Sequence, residues 1–210
     1  MKKTKTDPTL WTDFNAFIRR NRKRFLVRQT PHVIWLTGLS GAGKTTLARA
    51  LEKEILRRGF FTKYFDGDVI RKGLNKDLGF SIEDRIENIR RIAELTKIFL
   101  DSGIIVIVGF ITPTEQMREL AKSIVGYNRF IEIYVNAPLE VCEQRDVKGL
   151  YAKARRGEIK NFTGIDSVFE PPANPDVEVR TDLWSLKKCT KVVLDYVLPK
   201  IKFNKSLPLL

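Results

Sequence analysis

Apolar positions along the chain switch between two periods. Val33-Ile-Trp-Leu-Thr37 is a short run of β-branched and aromatic residues followed by glycines, which predicts a buried strand. Over residues 45–58, Leu47, Ala50, Leu51, Ile55 and Leu56 recur on a helical face that closes at Gly59. Phe60 to Phe65 reads as a second strand. Ser81 to Ser102 reads as a long helix with Ile82, Ile86, Ile89, Ala93 and Phe99 inward. Gly103 to Phe110 is almost wholly aliphatic, the pattern of a central strand covered on both faces. Residues 115–125 predict another helix, Phe130 to Val135 a fourth strand and Val177 to Thr181 a fifth. This alternation predicts an α/β fold, a parallel sheet in a helix–sheet–helix sandwich. It stops between Asp146 and Pro175, a polar, basic stretch punctuated by Gly and Pro. Within it Lys148, Lys153, Arg155 and Arg156 predict a mobile lid over an anionic ligand, residues 147–165.

The chain's 210 residues suit one domain, 31–198, with an arm at 1–30 and a tail at 199–210. The formal charge of +13 invites a nucleic-acid reading until its distribution is read. Residues 1–30 hold nine Lys/Arg against Asp7 and Asp13, and the tail adds Lys200, Lys202 and Lys205. The body is therefore only mildly basic, and no nucleic-acid partner is expected. Trp11, Phe14, Phe17 and Ile18 fall at helical spacing ahead of the Arg19–Arg24 cluster. Such a helix can bind RNA or a membrane; docking on the body or on a second subunit is the reading preferred here. No apolar run approaches the ~18 residues of a membrane span, and the N-terminus lacks the pattern of a secretory signal. Cys142 and Cys189 make no disulfide framework, and one histidine, His32, disfavours a zinc site or a Ser-His-Asp triad. A reduced, cytoplasmic setting is expected, without membrane association.

Gly38-Leu-Ser-Gly-Ala-Gly-Lys-Thr-Thr46 matches G-x-x-x-x-G-K-[ST] between a predicted strand and a predicted helix. Glycines let successive N–H groups turn toward phosphate oxygens, and the helix N-terminus adds its dipole. In such a loop Lys44 reaches the β- and γ-phosphates and the Thr45 hydroxyl takes a Mg²⁺ position. A nucleoside triphosphate with Mg²⁺ is thus expected. Phe65-Asp-Gly-Asp68 ends the second strand, on the edge that faces the ligand crevice of an open α/β sheet. One of these carboxylates, Asp66 or Asp68, can serve the metal, and the other can accept a proton from an attacking hydroxyl. Arg71, Phe80, Arg85 and Asn88 follow, residue types that grip anions and stack on bases.

The run from Asp66 to Arg91, DGDVIRKGLNKDLGFSIEDRIENIRR, closely resembles the adenylylsulfate (APS) kinase family. So does the run from Pro138 to Asp166, PLEVCEQRDVKGLYAKARRGEIKNFTGID, and the resemblance extends over residues 31–198. It implies a P-loop NTPase-type three-layer sandwich and transfer of the ATP γ-phosphate to the 3′-hydroxyl of adenosine 5′-phosphosulfate. By that resemblance Gly41, Ala42, Gly43, Lys44, Thr45 and Thr46 would cradle ATP, with Arg145 against its adenine. Asp68, Arg71, Phe80, Arg85, Asn88, Ile111 and Thr112 would hold the acceptor. Lys148, Phe162 and Thr163 would close over it, Phe162 and Phe80 sandwiching its adenine. Lys44, Asp68, Thr112 and Arg155 form the expected catalytic set, and Thr45 and Asp66 the metal set. A homodimer is also implied, since the segment before the first strand often contributes to dimer contacts in the family.

Two positions depart from the family pattern. Thr112-Pro-Thr-Glu115 stands where the family usually reads Ser-Pro-Tyr-Arg, and Val69 stands where Asn is common. The first change exchanges a cation for an anion near the expected acceptor pocket. Two other readings therefore stay open: a sister kinase acting on another modified nucleotide, such as a cytidine diphosphoramidate, and a non-catalytic nucleotide-binding module.

Overall fold

The computed structural model describes residues 26–203. The helix expected near Trp11 to Arg24, and its proposed docking, lie outside them. Five strands form one sheet: β1 Val33–Thr37, β2 Thr62–Asp66, β3 Ile105–Gly109, β4 Phe130–Asn136 and β5 Val177–Arg180. Their order is β2-β3-β1-β4-β5 and every pairing is parallel. All the carboxyl ends therefore lie on one edge, where an open α/β sheet binds its ligands.

The period-2 alternation of β1 assigns the two faces. Ile34 and Leu36 enter one core beneath α1 (Lys44–Arg57), with Leu47, Ala48, Leu51 and Ile55. Val33 and Trp35 enter the other, with Ile89, Ile92 and Ala93 of α3 (Ile82–Asp101) and Met117 and Ala121 of α4 (Glu115–Val125). Burying both faces explains the unbroken apolar runs of β1 and β3. Ser81 and Thr114 start α3 and α4 by accepting the N–H groups of Asp84 and Met117. Ile82, expected inward, is 67% exposed: it is the first residue of α3, a full turn and more ahead of Asn88, Ile89 and Ile92, where the helix becomes buried.

Four helices carry no prediction: α2 (Gly67–Lys72), α5 (Leu139–Arg145), α6 (Leu150–Arg155) and α7 (Leu186–Ile201). Helix α6 lies inside the stretch read as an irregular loop. Only Tyr151 and Ala154 of it are buried, too few to register a period. The Asp146 carboxylate starts it by accepting the N–H groups of Tyr151 and Ala152, each at 3.0 Å.

Beneath the loop that follows β3 lies a buried ionic cluster. Arg118, 1% exposed, donates to Glu115 Oε2 at 2.6 Å and to the Glu170 carbonyl at 2.7 Å, and lies 3.4 Å from Glu132 Oε1. Lys122 reaches the other Glu132 oxygen at 3.0 Å. Burial raises the Glu132 pKa against the pull of these cations. Arg118→Ala should cost up to about 3 kcal/mol in urea unfolding, because it leaves the buried Glu132 carboxylate to Lys122 alone. Adding Glu132→Gln should recover part of that loss; an unshifted midpoint in Arg118→Ala would remove the cluster from any role in the fold.

Candidate active site

The loop between β1 and α1 is shaped by contacts that only glycine permits. Gly38 and Gly41 have φ of 149° and 76°, and a Cβ on them would stand 2.4 Å from the Val135 carbonyl oxygen and 2.8 Å from that of Cys142. Helix α1 begins without a side-chain cap and with no acidic residue in its first turn. Its N-terminal N–H groups and dipole are left to an anion. The Lys44 ammonium lies against the carbonyls of Gly38 and Leu39, at 2.8 and 2.7 Å. Burial is the main reason that its pKa falls to about 8, opposed in part by Asp68 and Asp66.

At the end of β2, Asp66 caps α2 through Oδ1, which accepts the Asp68 N–H at 2.9 Å. Its Oδ2 accepts from Tyr64 Oη at 2.8 Å and from Thr45 Oγ1 at 3.2 Å. Burial pushes the Asp66 carboxyl up, but these hydrogen bonds outweigh it and hold the group below its ordinary range. Thr45 and Asp66 are hard oxygen donors held together beside the phosphate loop, the donor type that suits Mg²⁺. Asp68 pairs with Lys148, which reaches it from the segment after α5.

The far end of the site is cationic. Arg71 stacks its guanidinium 4.5 Å from the Phe80 ring centre and donates to the Gly79 carbonyl at 2.8 Å. Burial lowers the pKa of both Arg71 and Arg85, and the Arg85 charge lowers that of Arg71 further. Two half-buried cations that repel one another mark a place for an anion. Arg85 also holds the later segment, through Thr163 Oγ1 at 2.5 Å and the Asn161 carbonyl. Asn88 is buried and accepts from Asn75 at 2.8 Å.

One cavity of about 800 Å³ takes in both ends and reaches nearly every residue expected from sequence, from Gly41 and Lys44 to Phe162 and Thr163. Two expected residues do not line it. Ala42 is buried behind the loop, its carbonyl accepting from Thr181 Oγ1 at 2.8 Å. Arg155 does not reach the cavity: it makes a two-point ion pair with Glu143, at 2.8 and 3.0 Å, on the outer side of α5. Thr112 lines the cavity, but its hydroxyl accepts the Trp35 indole N–H at 2.9 Å and its φ is 44°. A β-branched residue there is strained by roughly 1–3 kcal/mol, and this internal hydrogen bond helps to hold it. Glu115, the departure from the family pattern, is turned away from the cavity onto Arg118. Val69, the other departure, lies on the cavity wall and is exposed.

The structure also adds residues that spacing did not mark. Thr181 and Trp184 line the cavity near Arg145, whose guanidinium donates to the Thr181 carbonyl at 2.8 Å. They lie far along the chain from the phosphate loop, so no local pattern signals them. Tyr151 Oη donates to the Ser40 carbonyl at 2.9 Å, and its ring meets Phe162 edge-on at 5.0 Å. Tyr64 was legible in principle, since it stands two residues before Asp66 on one face of a strand.

The family model described as adenylylsulphate kinase matches residues 30–180. The adenylyl-sulfate kinase of Bacteroides thetaiotaomicron is 53% identical over 189 residues, covering 90% of this chain and 94% of its own. That of Clostridium acetobutylicum is 46% identical over 197 residues, covering 94% and 97%. The structure of the Mycobacterium tuberculosis APS kinase in complex with AMPPNP and APS matches at a TM-score of 0.77 and 42% identity. It covers 80% of this chain and 98% of that one.

The Lys44 pKa gives a signed expectation. A polyphosphate binds the charged ammonium, so affinity should be level below pH 8 and fall above it as the free protein loses that proton. The slope should approach about tenfold per pH unit. Calorimetric titration with ADP from pH 7 to 9.5 reads this, and Lys44→Ala should bind weakly without the fall. A flat wild-type profile would contradict the assignment.

Proposed function

The chain belongs to the adenylylsulphate kinase family, and we infer that it is an adenylyl-sulfate kinase, moving the γ-phosphate of ATP to the 3′-hydroxyl of adenosine 5′-phosphosulfate. The observation that carries this reading is one cavity with two cationic ends and a carboxylate acting on both. Asp68 exerts its charge on Lys44 at one end and on Arg71 at the other. A donor triphosphate and an acceptor with its own anionic group fit these ends. The anion at Glu115, which opened the rival acceptor, stays paired with Arg118 outside the cavity.

Phosphoryl transfer passes through a loose transition state, so the protein's task is positioning and charge. The N–H groups at the start of α1 and the Lys44 ammonium bind the donor phosphates. Arg145, Thr181 and Trp184 form the site for the donor base. Arg71 and Arg85 hold the acceptor's phosphosulfate, and Phe80 and Phe162 bracket its adenine, with Asn88, Ile111 and Thr112 along the wall. Asp68 orients the 3′-hydroxyl and takes its proton. Thr45 and Asp66 would hold Mg²⁺, which would offset charge on the donor phosphates. Arg155 has no part in this scheme while it remains on Glu143.

Residues 147–165 act as a lid, a reading supported by the contacts of Lys148 with Asp68 and of Arg85 with Thr163. A cytoplasmic setting fits the two buried free thiols, Cys142 and Cys189. A homodimer is supported by the apolar spacing within residues 1–30, and light scattering of the full chain reads it directly.

Transfer of phosphate from ATP to adenosine 5′-phosphosulfate tests the activity. Asp68→Asn should lower kcat by about 10²–10⁴ with little change in ATP binding. A loss confined to ATP binding would move Asp68 to the metal site. For the lid, trypsin should cut after Lys153 or Arg156 in the free protein, and ADP with the acceptor should slow the cut. Cleavage indifferent to both ligands would count against closure.

A further inference from the structure

Tyr64 is absent from every motif in the chain, yet its hydroxyl ends on Asp66, a residue that lines the phosphate site. On β2 it shares a face with Asp66, while Phe65 between them enters the opposite core. Its N–H donates to Glu52 Oε1 at 3.0 Å, which ties this strand position to α1. Its Oη donates to Asp66 Oδ2 at 2.8 Å, the same oxygen that accepts from Thr45 Oγ1 at 3.2 Å. Space for the phenol comes from the neighbouring strand. A Cβ on Gly109, the partner of Asp66 across the β2–β3 pairing, would stand 2.9 Å from Tyr64 Oη. Glycine there marks a close approach within a strand.

We propose that Tyr64 is a positioning residue for the metal side of the site: it fixes Asp66 so that the Thr45 hydroxyl proton points at Oδ2 and the Thr45 lone pairs face the cation. Asp66 is then held by three donors, the Asp68 N–H on Oδ1 and the two hydroxyls on Oδ2. An oxygen already accepting two hydrogen bonds has little capacity left for a direct metal bond. Asp66 therefore acts on Mg²⁺ through Thr45 and through water. Partners of this kind orient metal ligands, and removing one typically costs about 10–100-fold in metal affinity. The inference rests on the reading of Thr45 and Asp66 as the Mg²⁺ residues.

The test is calorimetric titration of the full chain with ADP, once with Mg²⁺ and once in EDTA. Tyr64→Phe keeps the ring and removes the hydroxyl. It should leave the metal-free affinity within about twofold and reduce the gain conferred by Mg²⁺ by about tenfold or more. Gly109→Ala keeps the hydroxyl and displaces it, so it should reproduce the same Mg²⁺-specific loss. Combining the two should add little to either, since both break one contact. An unchanged Mg²⁺ gain in Tyr64→Phe overturns the inference, and so does an equal fall in metal-free affinity, which a purely structural role would give. A wild type whose ADP affinity ignores Mg²⁺ overturns the metal reading itself, and this inference with it.

Discussion

Everything at this site is arranged around a helix that starts without a cap. Helix α1 has no side chain accepting its first N–H groups and no acidic residue in its first turn, so a partial positive charge faces the crevice. Lys44 adds a full charge and, in the free chain, leans on two loop carbonyls. Burial of that ammonium is costly, which is why its pKa falls. A polyphosphate supplies what both the helix end and the lysine lack. The parallel sheet then determines what else can reach the same place, because every strand delivers its carboxyl end to this edge.

A second constraint acts on the loop after β3. Thr112 holds a backbone conformation that β-branched residues avoid, and three groups keep it there. Trp35 holds its hydroxyl, while Thr37 and Arg118 approach its carbonyl at 3.3 and 3.4 Å. Arg118 also takes the Glu170 carbonyl, so the pocket wall and the chain returning from residues 147–165 share one buried cation. Glu115 completes the coordination of that cation. The substitution that looked like a change in the acceptor pocket is, in three dimensions, a partner for Arg118.

The sequence by itself determined the sheet and the phosphate end of the site. Strands covered on both faces must be continuously apolar, and α1, α3 and α4 must repeat every three to four residues. Those patterns are local, and all five strands and these three helices lie where they predict. The phosphate loop is equally local: glycines, lysine and threonine are consecutive because successive N–H groups must converge on one phosphate. Short helices such as α6 were illegible, since two buried residues make no period.

Only the tertiary structure decided which charges face the cavity and which face one another. Arg155 and Glu115 carry the right chemistry for a phosphate site or against an anionic acceptor, but each finds a closer partner, Glu143 and Arg118. Trp184 and Thr181 reach the cavity because β5 completes the sheet beside β4, a pairing that no local spacing encodes. Tyr64 meets Asp66 only because Gly109 of the next strand leaves room for its hydroxyl. A pattern along one segment records which way its own residues turn. What meets them there depends on neighbours from distant segments, and competition among those neighbours for each charge is settled by distance in the folded chain.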